Sequence, residues 1–225
     1  MRLLLAVILA AWGLAVAPVA VGPAHADPLD CPPNCDRIPD SAWIDPTAIP
    51  LYSTYRWPGP AGIAVTAANP RFRFEEACSS QPVADDPRSF AVAAKAVVPQ
   101  PEGQWQLQVQ VLHWRGEVWR GGQLASSVFD RAVAALRACQ MTSPLTSPSL
   151  TTDTPNRIAA VISGVLPGHQ VLHEYLLINP YNSTIVELAM WSASPPRVEW
   201  PIVPDAQVLD AMNAPLCTAY IDSCR

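Results

Sequence analysis

Residues 104–111 read QWQLQVQV, a run in which Trp105, Leu107, Val109 and Val111 alternate with four glutamines. Successive side chains of a strand point to opposite faces, so this two-residue period predicts a half-buried strand with one wet, glutamine-lined face. Ahead of it, SFAVAAKAVV (89–98) is apolar enough for a strand or a short buried helix, and periodicity does not separate the two. Behind it comes WRGEVWRGG (114–122), a Trp-Arg-Gly triplet written twice. Leu112 breaks the odd-numbered apolar phase, which predicts a bulge or turn. Residues 115–118 then have the length of a four-residue hairpin loop with Trp114 and Trp119 opposed across it, and Gly121-Gly122 permit a sharp change of direction.

Further along, GGQLASSVFDRAVAALRACQ (121–140) spaces Leu124, Val128, Ala132 and Leu136 four apart, with Phe129 and Val133 on the adjoining stripe. This predicts an amphipathic helix of about four turns. The Ser/Thr/Pro-rich MTSPLTSPSLTTDTPN (141–156) reads as a linker. Three strand-like segments follow, RIAAVISGVLPG, HQVLHEYLLIN and STIVELAMWSAS, divided by PG and NPYN turn signals into an antiparallel meander. Pro204-Asp205 then caps AQVLDAMNA, which buries Val208, Leu209 and Met212 before Pro215 bends or ends the helix. The order is strand, helix, three strands, helix. It predicts an α+β fold, an antiparallel sheet with its two main helices on one face.

Residues 1–26 open with Arg2, run through a long apolar segment and close on Ala24-His25-Ala26, the pattern of a cleavable secretory signal. Pro18, Gly22 and Pro23 interrupt the run before it would span a bilayer, and no later run is long enough, so the mature chain is expected to be extracytoplasmic without a stable membrane span. Residues 27–70 form a Pro-rich arm that cannot be a regular helix or central strand, yet Trp43, Ile44, Leu51, Tyr52, Tyr55 and Trp57 are too apolar for a disordered tail. They predict an extended arm packed across the α+β domain of residues 71–225. Loss of Arg2 with the signal takes the net charge from −5 to −6, and with Lys95 the single lysine no basic patch suggests nucleic acid. All six cysteines, Cys31, Cys35, Cys78, Cys139, Cys217 and Cys224, lie beyond the signal. In an oxidising compartment an even number predicts three disulfides, with fifteen connectivities open.

No catalytic motif is strong. His169 and His173 would share a helix face, but they follow Pro167-Gly168 and continue into EYLLIN, which reads as a strand. On a strand they stand about 13 Å apart, too far to share an ion, so no metal is expected. No G-x-S-x-G elbow surrounds Ser163, Ser126 or Ser127, no phosphate loop is present, and no cofactor is implied. His113 beside the central strand, or His173, would serve a small secreted hydrolase if a hydroxyl or carboxylate came within reach. The acidic pairs Glu75-Glu76 and Asp85-Asp86 read as solvated surface, and Asn182-Ser183-Thr184 as a turn that also fits a glycosylation acceptor. Eight tryptophans are the better lead. Trp105, Trp114, Trp119 and Trp191, with His113 and a rim of Arg115 and Arg120, are the candidate lining of a ligand cleft floored by the sheet; core packing is the competing role.

From residue 72 onward the chain resembles the extracellular sensor domain of the mycobacterial kinase PknH and the exported and lipid-anchored proteins built on the same module. The resemblance rests on Cys78 ahead of the first strands, GEVWRG running into ASSVFDRAVAALRAC with Cys139 at its end, the meander closing on STIVELAMWS, and the final DAQVLDAM helix. It implies a Cys78–Cys139 bridge and a non-enzymatic, sensor-like envelope protein of actinobacterial type that binds an envelope ligand or protein. The family's second bridge, which follows soon after the first, has no counterpart. Cys31, Cys35, Cys217 and Cys224 are instead expected to join the arm to the C-terminal tail or to close local loops.

Overall fold

The computed structural model describes residues 37–164, 166 and 169–220. The signal segment 1–26, the start of the arm, and Cys31, Cys35 and Cys224 lie outside the described residues.

Seven strands form one antiparallel sheet: β1 (Val65–Thr66), β2 (Val92–Val98), β3 (Gln106–His113), β4 (Thr146–Thr154), β5 (Arg157–Gly164), β6 (Gln170–Asn179) and β7 (Thr184–Ala193). Their order is β1-β2-β3-β7-β6-β5-β4. The glutamine-rich segment and the meander are therefore the centre of the sheet, with β3 paired along its whole length to β7 on one side and from Leu107 to His113 to β2 on the other. SFAVAAKAVV resolves into strand β2. The Ser/Thr/Pro stretch read as a linker is instead the edge strand β4, a position that tolerates Pro148 because an edge leaves backbone donors unpaired anyway.

Alternation along the strands sorts the interior into two cores. Leu107, Val109 and Val111 of β3, Tyr175 and Leu177 of β6, and Val186, Leu188 and Met190 of β7 face one layer. Val208, Leu209, Met212 and Leu216 of the C-terminal helix Asp205–Ala219 close that layer together with Trp43, Ile44, Ile49 and Trp57 of the arm. Leu112, Leu172, Leu176, Ile178, Ile185 and Ala189 face the opposite layer, which the long helix Val118–Arg137 covers with Ala125, Val128, Phe129, Val133 and Leu136. The α+β class holds, but the two main helices lie on opposite faces rather than on one. The reason is in the strands: β6 and β7 are buried along almost their whole length, and a sheet apolar on both sides needs cover on both.

The arm is built from short turns, Asp40–Ala42, Pro46–Ala48, Tyr52–Tyr55 and Pro60–Ile63, and it belongs to the same compact unit as the sheet. Two bonds seat it on the residues that lead into β3: the Tyr55 hydroxyl donates to Gln104 Oε1 at 2.6 Å and accepts from the Trp105 amide at 3.1 Å. Trp57 stacks on Tyr55 and donates its indole N–H to the Pro50 carbonyl.

Three local expectations at the doubled triplet are corrected. Leu112 is no bulge: β3 runs in regular register to His113, and Leu112 simply faces the long-helix layer. The hairpin is absent, because β3 pairs with β2 and β7 and the chain turns at Gly116, φ 95°, straight into a helix that begins at Val118. Gly121 and Gly122 therefore sit inside the helix, where they permit close approach. A Cβ on Gly122 would lie 2.5 Å from the Pro180 carbonyl oxygen, and one on Gly121 2.5 Å from Ser183 Oγ. Likewise Pro215 does not end the last helix, which runs on to Ala219.

Cys78 and Cys139 are bridged, with Cα atoms 4.7 Å apart. Cys217 is also disulfide-bonded. Among the described residues no helix is long and apolar enough to cross a membrane.

Candidate functional site

The residues proposed to line one cleft are dispersed. Trp105 is buried in the arm-side core, donating its indole N–H to the Val198 carbonyl at 2.7 Å. Trp114 and Trp191 lie in the long-helix core, the first bonded to the Pro87 carbonyl at 2.9 Å, the second beneath the Arg73 guanidinium. The long helix covers one face of the central strands and the C-terminal helix with the arm covers the other, so these tryptophans lie in two separate cores and do not line one cleft. Arg115 and Arg120 are exposed, and Arg120 lies over the Trp119 ring.

The histidines belong to the packing. His113 stacks on Tyr220, and its Nδ1 lies 3.0 Å from Thr184 Oγ1. A hydroxyl is thus within reach of the imidazole, and the same hydroxyl lies 3.0 Å from the Asn182 carbonyl. His173 stacks on Trp200 at 3.6 Å and meets Trp105 edge-on. Burial lowers both histidines to about 4, so both are neutral at pH 7. Among the described residues no three His, Cys, Asp or Glu side chains gather as a metal site. Asn182 is buried, which leaves its amide nitrogen closed to a glycan.

Two features emerge that the sequence did not single out. The first is an open groove of about 920 Å³ where the start of the long helix meets the β6–β7 turn, lined by Val118, Trp119, Gln123, Ser126, Asp130 and Tyr181 among others. Its walls are apolar and unusually bare: Val118 is 53%, Trp119 59% and Tyr181 72% exposed. Of the predicted cleft residues Trp119 alone lines it.

The second is a polar centre buried in the long-helix face of the sheet. Gln108 and Gln110 are buried rather than wet, because the segment Phe72–Cys78 lies over them. Gln110 stands directly opposite Glu187 across β3 and β7, and Glu174 on β6 faces the same side one step along, flanked by the small Ala160 and Ala189. Glu187 accepts from the Arg73 backbone N–H and, at 2.8 Å, from the Gln108 amide. Neither oxygen of Glu174 nor Oε1 of Gln110 meets a donor, while the Glu174 and Glu187 carboxyls are placed to hydrogen-bond each other once one of them carries a proton. Burial first, and the neighbouring carboxyl second, push Glu174 well above the usual carboxylate range; burial lifts Glu187 to about 7 against the bonds from Arg73 and Gln108. Beside this centre the pair read as surface is also partly internal: Glu75 accepts both guanidinium arms of Arg88, at 2.7 and 3.0 Å. The signal for all of this was a lone carboxylate within each of two otherwise apolar strands, HEYLLIN and TIVELAMW, neither of which leaves a wet side for it.

Comparison with known proteins gives no relatives: no family model, curated protein or solved structure matches the chain.

Proposed function

We propose that this protein is a secreted, non-enzymatic binding module of the bacterial cell envelope, sensor-like in the sense of the PknH extracellular domain, and that it engages its ligand at the groove of Val118, Trp119 and Tyr181. The observation that carries the reading is the exposure of these three side chains around one concave surface. A monomeric domain seldom leaves aromatic area uncovered in a single patch unless something docks there. Two aromatic faces over a floor of Gln123, Ser126, Ser127 and Asp130 suit a ligand with an apolar face and hydroxyl edges, which is the chemistry of an envelope glycan. Export agrees with the oxidised Cys78–Cys139 pair, since such bridges persist in oxidising compartments.

The test is thermal shift and native mass spectrometry of the mature protein with soluble peptidoglycan and arabinogalactan fragments, run beside a Trp119→Ala/Tyr181→Ala variant. Stabilisation of the wild type alone, with equal melting temperatures in the absence of glycan, supports the reading. Equal responses of the two proteins, or stabilisation only by phospholipid vesicles, would move the ligand elsewhere. Turnover of ester or glycan substrates would favour the secreted hydrolase.

A further inference from the structure

We propose that Glu174 and Glu187 form a shared-proton site, one a buried carboxylic acid and the other a carboxylate, and that loss of the shared proton unseats the Phe72–Cys78 segment above them. The geometry requires a proton. Both side chains are fully buried on one face of adjacent strands, and Glu174 presents two acceptor oxygens with no donor to meet them. Two ionised carboxylates so placed would repel in a medium that screens poorly, whereas a proton on Glu174 removes one charge and supplies the missing donor.

Among the described residues, the surroundings bring no hydrogen-bond donor to Glu174. From β3 come the neutral Gln108 and Gln110; from β5, Ala160; and the buried side chains of the long helix are apolar. The covering segment brings Arg73, whose terminal guanidinium nitrogens go to Glu76 and Gln170 over the Trp191 ring while its Nε–H is left unpaired, and whose charge favours the ionised form of Glu174 less than burial and the neighbouring carboxyls oppose it. It also brings Glu75, held by Arg88 and flanked by Arg71. Glu75 adds negative charge near the pair and so favours retention of the proton. Proton retention and seating are linked because the Arg73 N–H bonds the Glu187 carboxylate, while Cys78, bridged to Cys139, anchors the far end of the segment. Ionisation of Glu174 places a second charge under that bond, and water must enter to solvate it. The segment then lifts from its Arg73 end.

The proton is held by the native chain and not by the unfolded one, whose glutamates ionise near pH 4.5. Stability is therefore present at low pH and lost as pH rises through the native values. Over the pH range in which the native chain keeps this proton and the unfolded one does not, the unfolding equilibrium constant of the wild type rises about tenfold per pH unit for the one proton concerned. The experiment is denaturant unfolding across that range for the wild type and Glu174→Gln, with hydrogen exchange over residues 72–78 at pH 9. Glu174→Gln should flatten the pH dependence and slow exchange of the segment relative to the wild type at the same pH. A variant with the wild-type slope overturns the proposal. If Glu174→Gln does not fold, the infrared carbonyl stretch of the native wild type at pH 7 decides: a protonated-carboxyl band supports the shared proton, and its absence refutes it.

Discussion

Gly122 is the residue at which a single methyl group is felt most sharply. Its missing Cβ is the space into which the Pro180 carbonyl fits, and backbone cannot swing aside as a side chain can. Gly122→Ala should destabilise the fold by about 1–3 kcal/mol, read from denaturant midpoints at constant slope, even though alanine is the better helix former. Trp114 and Trp119 make the complementary point. Their shared sequence context, Trp-Arg-Gly, suggested one role, yet Trp114 is buried and bonded to Pro87 while Trp119 stands in solvent in the first helical turn, its indole N–H bonded to Glu117. Trp119→Ala should therefore leave the melting temperature nearly unchanged, whereas Trp114→Ala, which opens a cavity and strands the Pro87 carbonyl, should cost about 3–5 kcal/mol.

Among the elements, those with long unbroken periodicity were legible. The β3 alternation, the three-strand meander and both helices are found where the period of apolar residues placed them. The errors came where an element is decided by its neighbours. Nothing within TSPSLTTDT distinguishes a linker from an edge strand, because what makes it β4 is the free edge of β5. Nothing within QWQLQVQV shows that its glutamines are covered, because the cover is a segment more than thirty residues earlier in the chain, pinned by the Gln110 bond to the Arg71 carbonyl. The candidate site was hidden for the same reason: Trp119 and Tyr181 meet across sixty residues of sequence. The Cys78–Cys139 bridge is a covalent cross-link between such distant elements, separated by 61 residues. Replacing both cysteines with serine should lower stability by about 4 kcal/mol in the chain-entropy model, a loss measurable as an earlier denaturant midpoint.

At the scale of the whole molecule, buried ionisable groups of opposite kinds shape the pH dependence. His113 and His173 titrate near 4 in the native state and 6.5 when unfolded, so they favour folding above 6.5 and lose that contribution as pH falls toward 4. Glu187, near 7, and Glu174, also raised by burial, act in the reverse sense, favouring folding below 4.5 and losing it as pH rises. From 4.5 to 6.5 the two pairs offset one another; above 6.5 only the glutamates change. Melting temperature against pH should thus show a plateau over roughly pH 4.5–6.5 and a decline on the alkaline side, steepest near pH 7. A differential scanning calorimetry series in matched ionic strength checks it, and a maximum at pH 8 would contradict it.

The same contact that makes Gly122 intolerant of a side chain also acts as a gauge block. It sets the helix bearing Trp119 against the turn bearing Tyr181 with backbone touching backbone, so the separation of the two aromatic walls is fixed before any ligand arrives. A ligand inserted there has little loop ordering to offset, and what it must match is a width. Selection at such a groove is by thickness: a ring that matches the spacing is held between the walls, and a bulkier one is refused by the spacing itself.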